Sequence, residues 1–141
     1  MTTKEYLSQI SRYNRMIANK LQEISQLKMI AYSISPQNVG EKVQNSYKAD
    51  KISGIVTEIA DKEKVLNTFL KKRTEIVNQI ESISDINCYD ILTNRYVLEK
   101  SIKVISVERG MAEKYLISMQ KNALKIFEKK YGEIYLSTNL T

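Results

Sequence analysis

Ser101–Leu124 reads SIKVISVERGMAEKYLISMQKNAL. Its one glycine, Gly110, stands between two stretches of good helix formers. Two readings fit. Either a short helix turns sharply into a second helix that is free to enter a DNA groove, or this is an ordinary helical pair that includes a glycine. Ser101 is a credible N-cap, so a short helix is expected over Ile102–Arg109. Gly110 is its natural stop, because a left-handed backbone costs glycine little. The next helix is expected from Ala112 to about Tyr131.

A helix-turn-helix needs a small residue where the helices cross, glycine at the turn, and apolar residues at set offsets. Counting from Gly110, Ile105 lies five before and the small Ser106 four before. Met111 follows directly, Leu116 is six after and Met119 nine after. These offsets suit the motif. Arg109 does not, since the position before the glycine is usually apolar. From the offsets alone, both readings stay open.

Upstream, Ser84 or Asp85 should cap a helix running through about Val97, with Ile91, Leu92 and Tyr96 on its inner face. Glu99-Lys100-Ser101 reads as the turn that follows.

The N-terminal part has a longer period. Thr2 or Thr3 with Glu5 forms a capping box. Tyr6, Ile10, Tyr13, Ile17, Ile24, Leu27 and Ala31 then alternate at spacings of four and three, broken at Lys20. Leu7 and Leu21 widen the stripe. This is an amphipathic helix to about Tyr32 with a coiled-coil seam. Pro36 and Gly40 break it, and a polar loop is expected from about Ser33 to Tyr47. A second seam follows: Ile52, Ile59, Leu66 and Ile80, with Ile55, Phe69, Ile76 and Ile83 at the complementary positions. That predicts a helix from about Ala49 to Ile83. Two such helices joined by one loop should fold back antiparallel. Val56, Leu70 and Val77 flank the seam, so a homodimer through these helices is expected. Lys20, Lys62 and Arg73 would fix its register. The expected fold is therefore all-α: a helical hairpin over residues 1–84, serving dimerisation, and a three-helix domain over residues 85–141.

Composition narrows the function. The chain has 141 residues, a formal charge of +6 and a pI near 9.3, which suits a polyanionic partner without naming one. The excess is spread out: 13 Lys+Arg against 9 Asp+Glu up to Ser84, and 9 against 7 after it. There is no His, hence neither the usual general base nor the commonest neutral metal ligand. The single cysteine, Cys88, is expected to be a small buried apolar residue. With no glycine-rich phosphate loop, no metal-ligand cluster and no nucleophile beside a base, neither an enzyme nor a cofactor or metal site is expected. MTTKEYLSQ lacks the apolar core of a signal peptide, and no apolar run would cross a membrane, so a cytoplasmic protein is expected.

Four stretches, taken together, resemble a family. TTKEYLSQI, ANKLQEI, DKISGIVTEIADKE and LTNRYVLEKSIKVISVERGMAEKYLISMQKNALKIF are similar, in order, to small phage and prophage proteins of Gram-positive bacteria. These are related to late-gene transcription regulators of the ArpU and RinA type. The most specific matches are Arg95, Tyr96, Lys100, Ser101, Gly110, Ala123 and Leu124. The resemblance implies a C-terminal helix-turn-helix similar to the fourth region of sigma factors. The chain departs from the family at Ser106, usually Ala, at Arg109, usually apolar, and at Ala112, usually a capping Ser.

On that reading the helix from Ala112 enters a major groove of double-stranded DNA. Helical geometry puts Glu113, Lys114, Ile117, Ser118 and Lys121 on the face away from Leu116 and Met119. Lys114 would reach guanine or a phosphate, Glu113 a cytosine amine, and Ile117 a thymine methyl, with Ser118 permissive. Lys121, Lys125, Lys100 and Lys103 would touch the DNA backbone. Tyr115 fits either a phosphate contact or packing. The competing expectation is an adaptor that docks on RNA polymerase without reading DNA sequence.

Overall fold

Helix formation dominates the chain because so few residues oppose it: 4 Gly and 1 Pro in 141. A computed structural model of the protein describes residues 1–34 and 42–138, and all its regular structure among them is helical. In order the elements are α1 (Thr3–Ile34), α2 (Lys42–Glu81), α3 (Ile86–Leu92) with a π-helical turn (Thr93–Val97), α4 (Ile102–Arg109) and α5 (Glu113–Tyr135).

α1 begins with the expected capping box, with Thr2 as the cap. Glu5 N–H donates to Thr2 Oγ1 at 3.2 Å, and Thr2 N–H donates to Glu5 Oε2 at 3.1 Å. Of the loop expected over Ser33–Tyr47, Ser33 and Ile34 belong to α1 and Lys42–Tyr47 to α2. The polar residues before Ala49 include neither Gly nor Pro after Gly40, so polarity there accompanies a helix start rather than a loop. Pro36 and Gly40 lie outside the described residues.

The chain divides into two compact units, and the division falls within the long helices rather than at residue 84. The first unit comprises Met1–Asn14 and Lys72–Thr141, the second Arg15–Lys71. The reason is one continuous core. Tyr6, Leu7 and Ile10 of α1 and Ile76, Ile80 and Ile83 of the α2 end share it with Cys88, Ile91, Leu92, Tyr96, Ile105, Leu116, Ala123, Phe127 and Tyr135. Within this unit α1 and α2 run in opposite directions: Tyr6 Oη donates to Gln79 Oε1 at 2.6 Å, and Arg73 Nε donates to Asn14 Oδ1 at 2.6 Å. Arg73, an interruption of the seam, is thus satisfied across it. Val77 packs on this core and is not spare surface.

In the second unit Ile24, Ile55 and Leu66 are buried along the seam. Its two polar interruptions share one carboxylate: Lys20 and Lys62 approach Glu23 Oε2 at 2.9 and 3.2 Å. Hydrogen bonds from these ammonium groups lower the pKa of Glu23. Two helices cannot cover all their apolar residues. Leu21, expected to widen the stripe, is instead 53% exposed, and Val56 is 57% exposed.

α3 is capped by Asp85, whose carboxylate accepts from the N–H groups of Asn87 and Cys88. The helix expected through Val97 widens to a π turn over its last five residues. The turn closes with Leu98 N–H donating to Thr93 O and Lys100 N–H donating to Asn94 O, both at 2.9 Å. Glu99 takes a left-handed φ of 55° to make this closure. Cys88 is buried, as its type suggested, and burial pushes its thiol pKa up.

α5 runs one turn past the expected end at Tyr131, straight through Gly132. A Cβ at Gly132 would meet Leu136 Cδ1 at 2.8 Å, so the residue's smallness serves close packing there and not a helix stop. Distant contacts hold the extra turn. Tyr135 stacks on Tyr6 with ring centroids 4.2 Å apart, and its hydroxyl lies 2.8 Å from Thr3 Oγ1.

Candidate nucleic-acid interface

Ser101 caps α4, its Oγ accepting from Val104 N–H at 3.2 Å. The helix ends where glycine permits a reversal: Gly110 has φ 64° and ψ 36°, and its N–H donates to Ser106 O. Met111 N–H then donates to Ser106 O at 3.2 Å, and α5 starts two residues on, with Ala112 at its N-cap. Ala112 has the extended backbone of a cap but no side chain to satisfy the first-turn amides.

The motif residues on the inner side come together. Ile105 and Leu116 are 1% and 2% exposed, with Met111 and Met119 partly buried against the same core. Ser106 is partly buried, and its hydroxyl donates to Met111 O, which ties the α4 end to the start of the next helix. Arg109, where an apolar residue was the pattern, points outward. Its Nε and Nη2 donate to Asp90 Oδ2 and Oδ1 at 3.1 and 2.9 Å. A two-point ion pair from α4 to α3 thus stands where an apolar contact would have been. Hydrogen bonding to Asp90 raises the Arg109 pKa further.

Nine residues were expected to face DNA. Glu113, Lys114, Tyr115, Ile117, Ser118, Lys121 and Lys125 on α5, and Lys103 on α4, are exposed. Tyr115, ambiguous in sequence, is 54% exposed and borders a shallow groove with Asp85, Asn87, Ser118 and Asn122. Lys100 is held: its Nζ pairs with Glu108 at 2.8 Å, and its carbonyl accepts from Arg95 Nη1 at 2.9 Å. It is therefore less available to a partner than the α5 lysines.

Arg95 matters more than its place in a motif suggested. It also donates from Nε to Gln120 Oε1 at 3.0 Å. Gln120 is a buried polar residue on the inner face of α5. One guanidinium thus links the π turn, the Lys100 turn and the middle of α5, and fixes how that helix sits. Sequence showed the arginine but not Gln120, because a glutamine at a core-facing position looks like any surface glutamine until its partner is placed.

Among the described residues no three Cys, Asp or Glu side chains converge as a metal ion would need. No described helix is long and apolar enough to cross a membrane. Compared with protein-family models, curated proteins and solved structures, the chain gives no match.

Proposed function

We propose that the chain is a cytoplasmic transcription regulator, of the phage and prophage type it resembles, that binds double-stranded DNA through α4 and α5 as a helix-turn-helix. The observation that carries this is the left-handed turn at Gly110. It sends Ile105 and Leu116 into the core and leaves Glu113, Lys114, Ile117, Ser118 and Lys121 on a free face. The first turns of α5 enter the major groove, where Lys114 and Glu113 meet base edges. The second unit supplies the dimer contact, so that two reading heads address two half-sites. A single domain of this modest charge needs that second head to bind tightly.

The test uses the full chain. Duplexes selected from a random library should converge on a common sequence. Fluorescence anisotropy on the selected duplex should show at least a tenfold loss for Lys114→Ala plus Lys121→Ala. A library that never converges, or an unchanged affinity in the double variant, removes base reading by α5.

One observation favours a second reading, an adaptor docking on RNA polymerase. Val104 and Val107 lie on the outward side of α4, and Val107 is 80% exposed. Valines gain nothing against phosphates but suit a protein surface. DNA binding should fall steeply with added salt, while apolar docking should not.

A further inference from the structure

Beyond the turns that could enter a groove, α5 carries a regular charge pattern. Lys114, Lys121, Lys125 and Lys129 lie seven, four and four residues apart and are all exposed. On a helix of 3.6 residues per turn this keeps their Cα atoms within about 80° of arc over about 22 Å of length. Leu116, Gln120, Ala123 and Phe127, all buried, occupy the opposite side, so the row faces straight out. None of the four lysines makes an ion pair among the described residues. Ser118 and Asn122, both exposed, stand beside the row and add neutral donors. Glu113, Glu128 and Glu133 are the carboxylates of this helix; the same rotation puts Glu113 and Glu133 about 80° and 40° outside the arc and Glu128 at its edge, about 20° outside.

The row does not help the helix. Lys121–Lys125 and Lys125–Lys129 are like-charge pairs four residues apart, each costing about 0.2–0.5 kcal/mol. Opposite charges at helical spacing, Glu128 to Lys125 and Glu133 to Lys129, flank the row without forming an ion pair among the described residues, whereas Lys20 and Glu23 on α1 are paired at 2.9 Å. Four aligned ammonium groups instead match a ligand with evenly spaced negative charge. Duplex DNA is such a ligand, and most protein–DNA hydrogen bonds go to its phosphates and sugars.

Length then divides the helix into two parts. A major groove is about 12 Å wide. Lys125 and Lys129 lie about 16 and 22 Å along the axis from Lys114. With the helix set across the groove, they lie beyond its width from Lys114 and meet the phosphates at the rim. We propose that the C-terminal half of α5, through Lys121, Lys125 and Lys129, is a phosphate-binding rail for double-stranded DNA, independent of base sequence. This rests on the proposed DNA-binding role and extends it by Lys129 and by a mode of contact. The rail holds the duplex whatever its sequence, and the first turns of α5 do the reading.

The test measures anisotropy of the full-length protein on a random-sequence 20-bp duplex from 50 to 200 mM KCl. Wild type is compared with Lys125→Gln plus Lys129→Gln. Lys64→Gln plus Lys71→Gln, two exposed lysines of α2, removes the same charge elsewhere. Each phosphate contact contributes about 0.9 to the slope of log affinity against log salt. The rail variant should lose about 1.8 from that slope, so its affinity changes about twelvefold less than wild type across the range. The α2 variant should keep the wild-type slope. An unchanged slope in the rail variant, an equal loss in the α2 variant, or no wild-type binding at 50 mM KCl overturns the rail. Failure to select a consensus sequence, with the rail result intact, would instead remove only the base-reading role.

Discussion

At Gly110 the backbone stands at φ 64° in open surroundings, where an added Cβ would touch nothing. The constraint there is conformational and not steric. Gly110→Ala should therefore cost about 1–2 kcal/mol, the penalty of a left-handed alanine, and Gly110→Asn clearly less. Urea denaturation of the three proteins checks this. An alanine variant as stable as wild type would mean that the turn has another conformation in solution. Arg109, next to it, shows how a residue that breaks a pattern can still be accommodated. It sits at the last turn of α4, close enough to the surface for a long side chain to leave the core and reach Asp90. The exposed pair adds little energy by itself.

At the scale of elements, the two helices of the proposed motif differ at their starts. α4 has a working cap in Ser101 and α5 has none in Ala112. Replacing a serine cap by alanine typically costs about 1 kcal/mol, and the reverse change at a position already in cap geometry recovers a similar amount. Ser101→Ala should destabilise and Ala112→Ser should stabilise, each by about 0.5–1 kcal/mol, as read from chemical denaturation midpoints. If Ala112→Ser leaves the midpoint where it was, the backbone at that residue is not held ready for a cap. The added hydroxyl would also face the proposed DNA ligand, so affinity should not fall in that variant. The C-terminal end of α5 makes a different point. Gly132 weakens the helix beyond Tyr131, yet the helix continues, with Tyr135 held by Tyr6 and Thr3.

At the scale of the whole molecule, the two units differ in how completely they are buried. The first has a core built from all five helices. The second has only the middle of the seam, with Leu21, Met29, Val56 and Leu70 in water. Apolar surface of this kind gains about 25 cal/mol for each Å² covered, which favours a second copy. Light scattering of the full chain at micromolar concentration should give twice the 16.3 kDa monomer mass. Leu21→Glu plus Val56→Glu should return it to the monomer with the helical signal unchanged. A wild-type protein that is monomeric throughout removes the two-headed arrangement from the proposed function.

Features that depend on near neighbours along the chain are written in the residues themselves. Amphipathic period marked the helices, Thr2, Asp85 and Ser101 marked their starts, and Gly110 marked the turn. The outward face of early α5 followed from helical period alone, and with it Glu113, Lys114, Ile117, Ser118 and Lys121. Lys129 is legible too, four residues on from Lys125 along the same face. Packing sets the rest: where the chain divides, that α5 passes through Gly132, that Glu99 turns left-handed, and that Arg95 grips Gln120. Each of these rests on residues far apart in sequence or on backbone closure under packing. Local propensities carry no record of either, because the partner that makes the difference lies elsewhere in the chain.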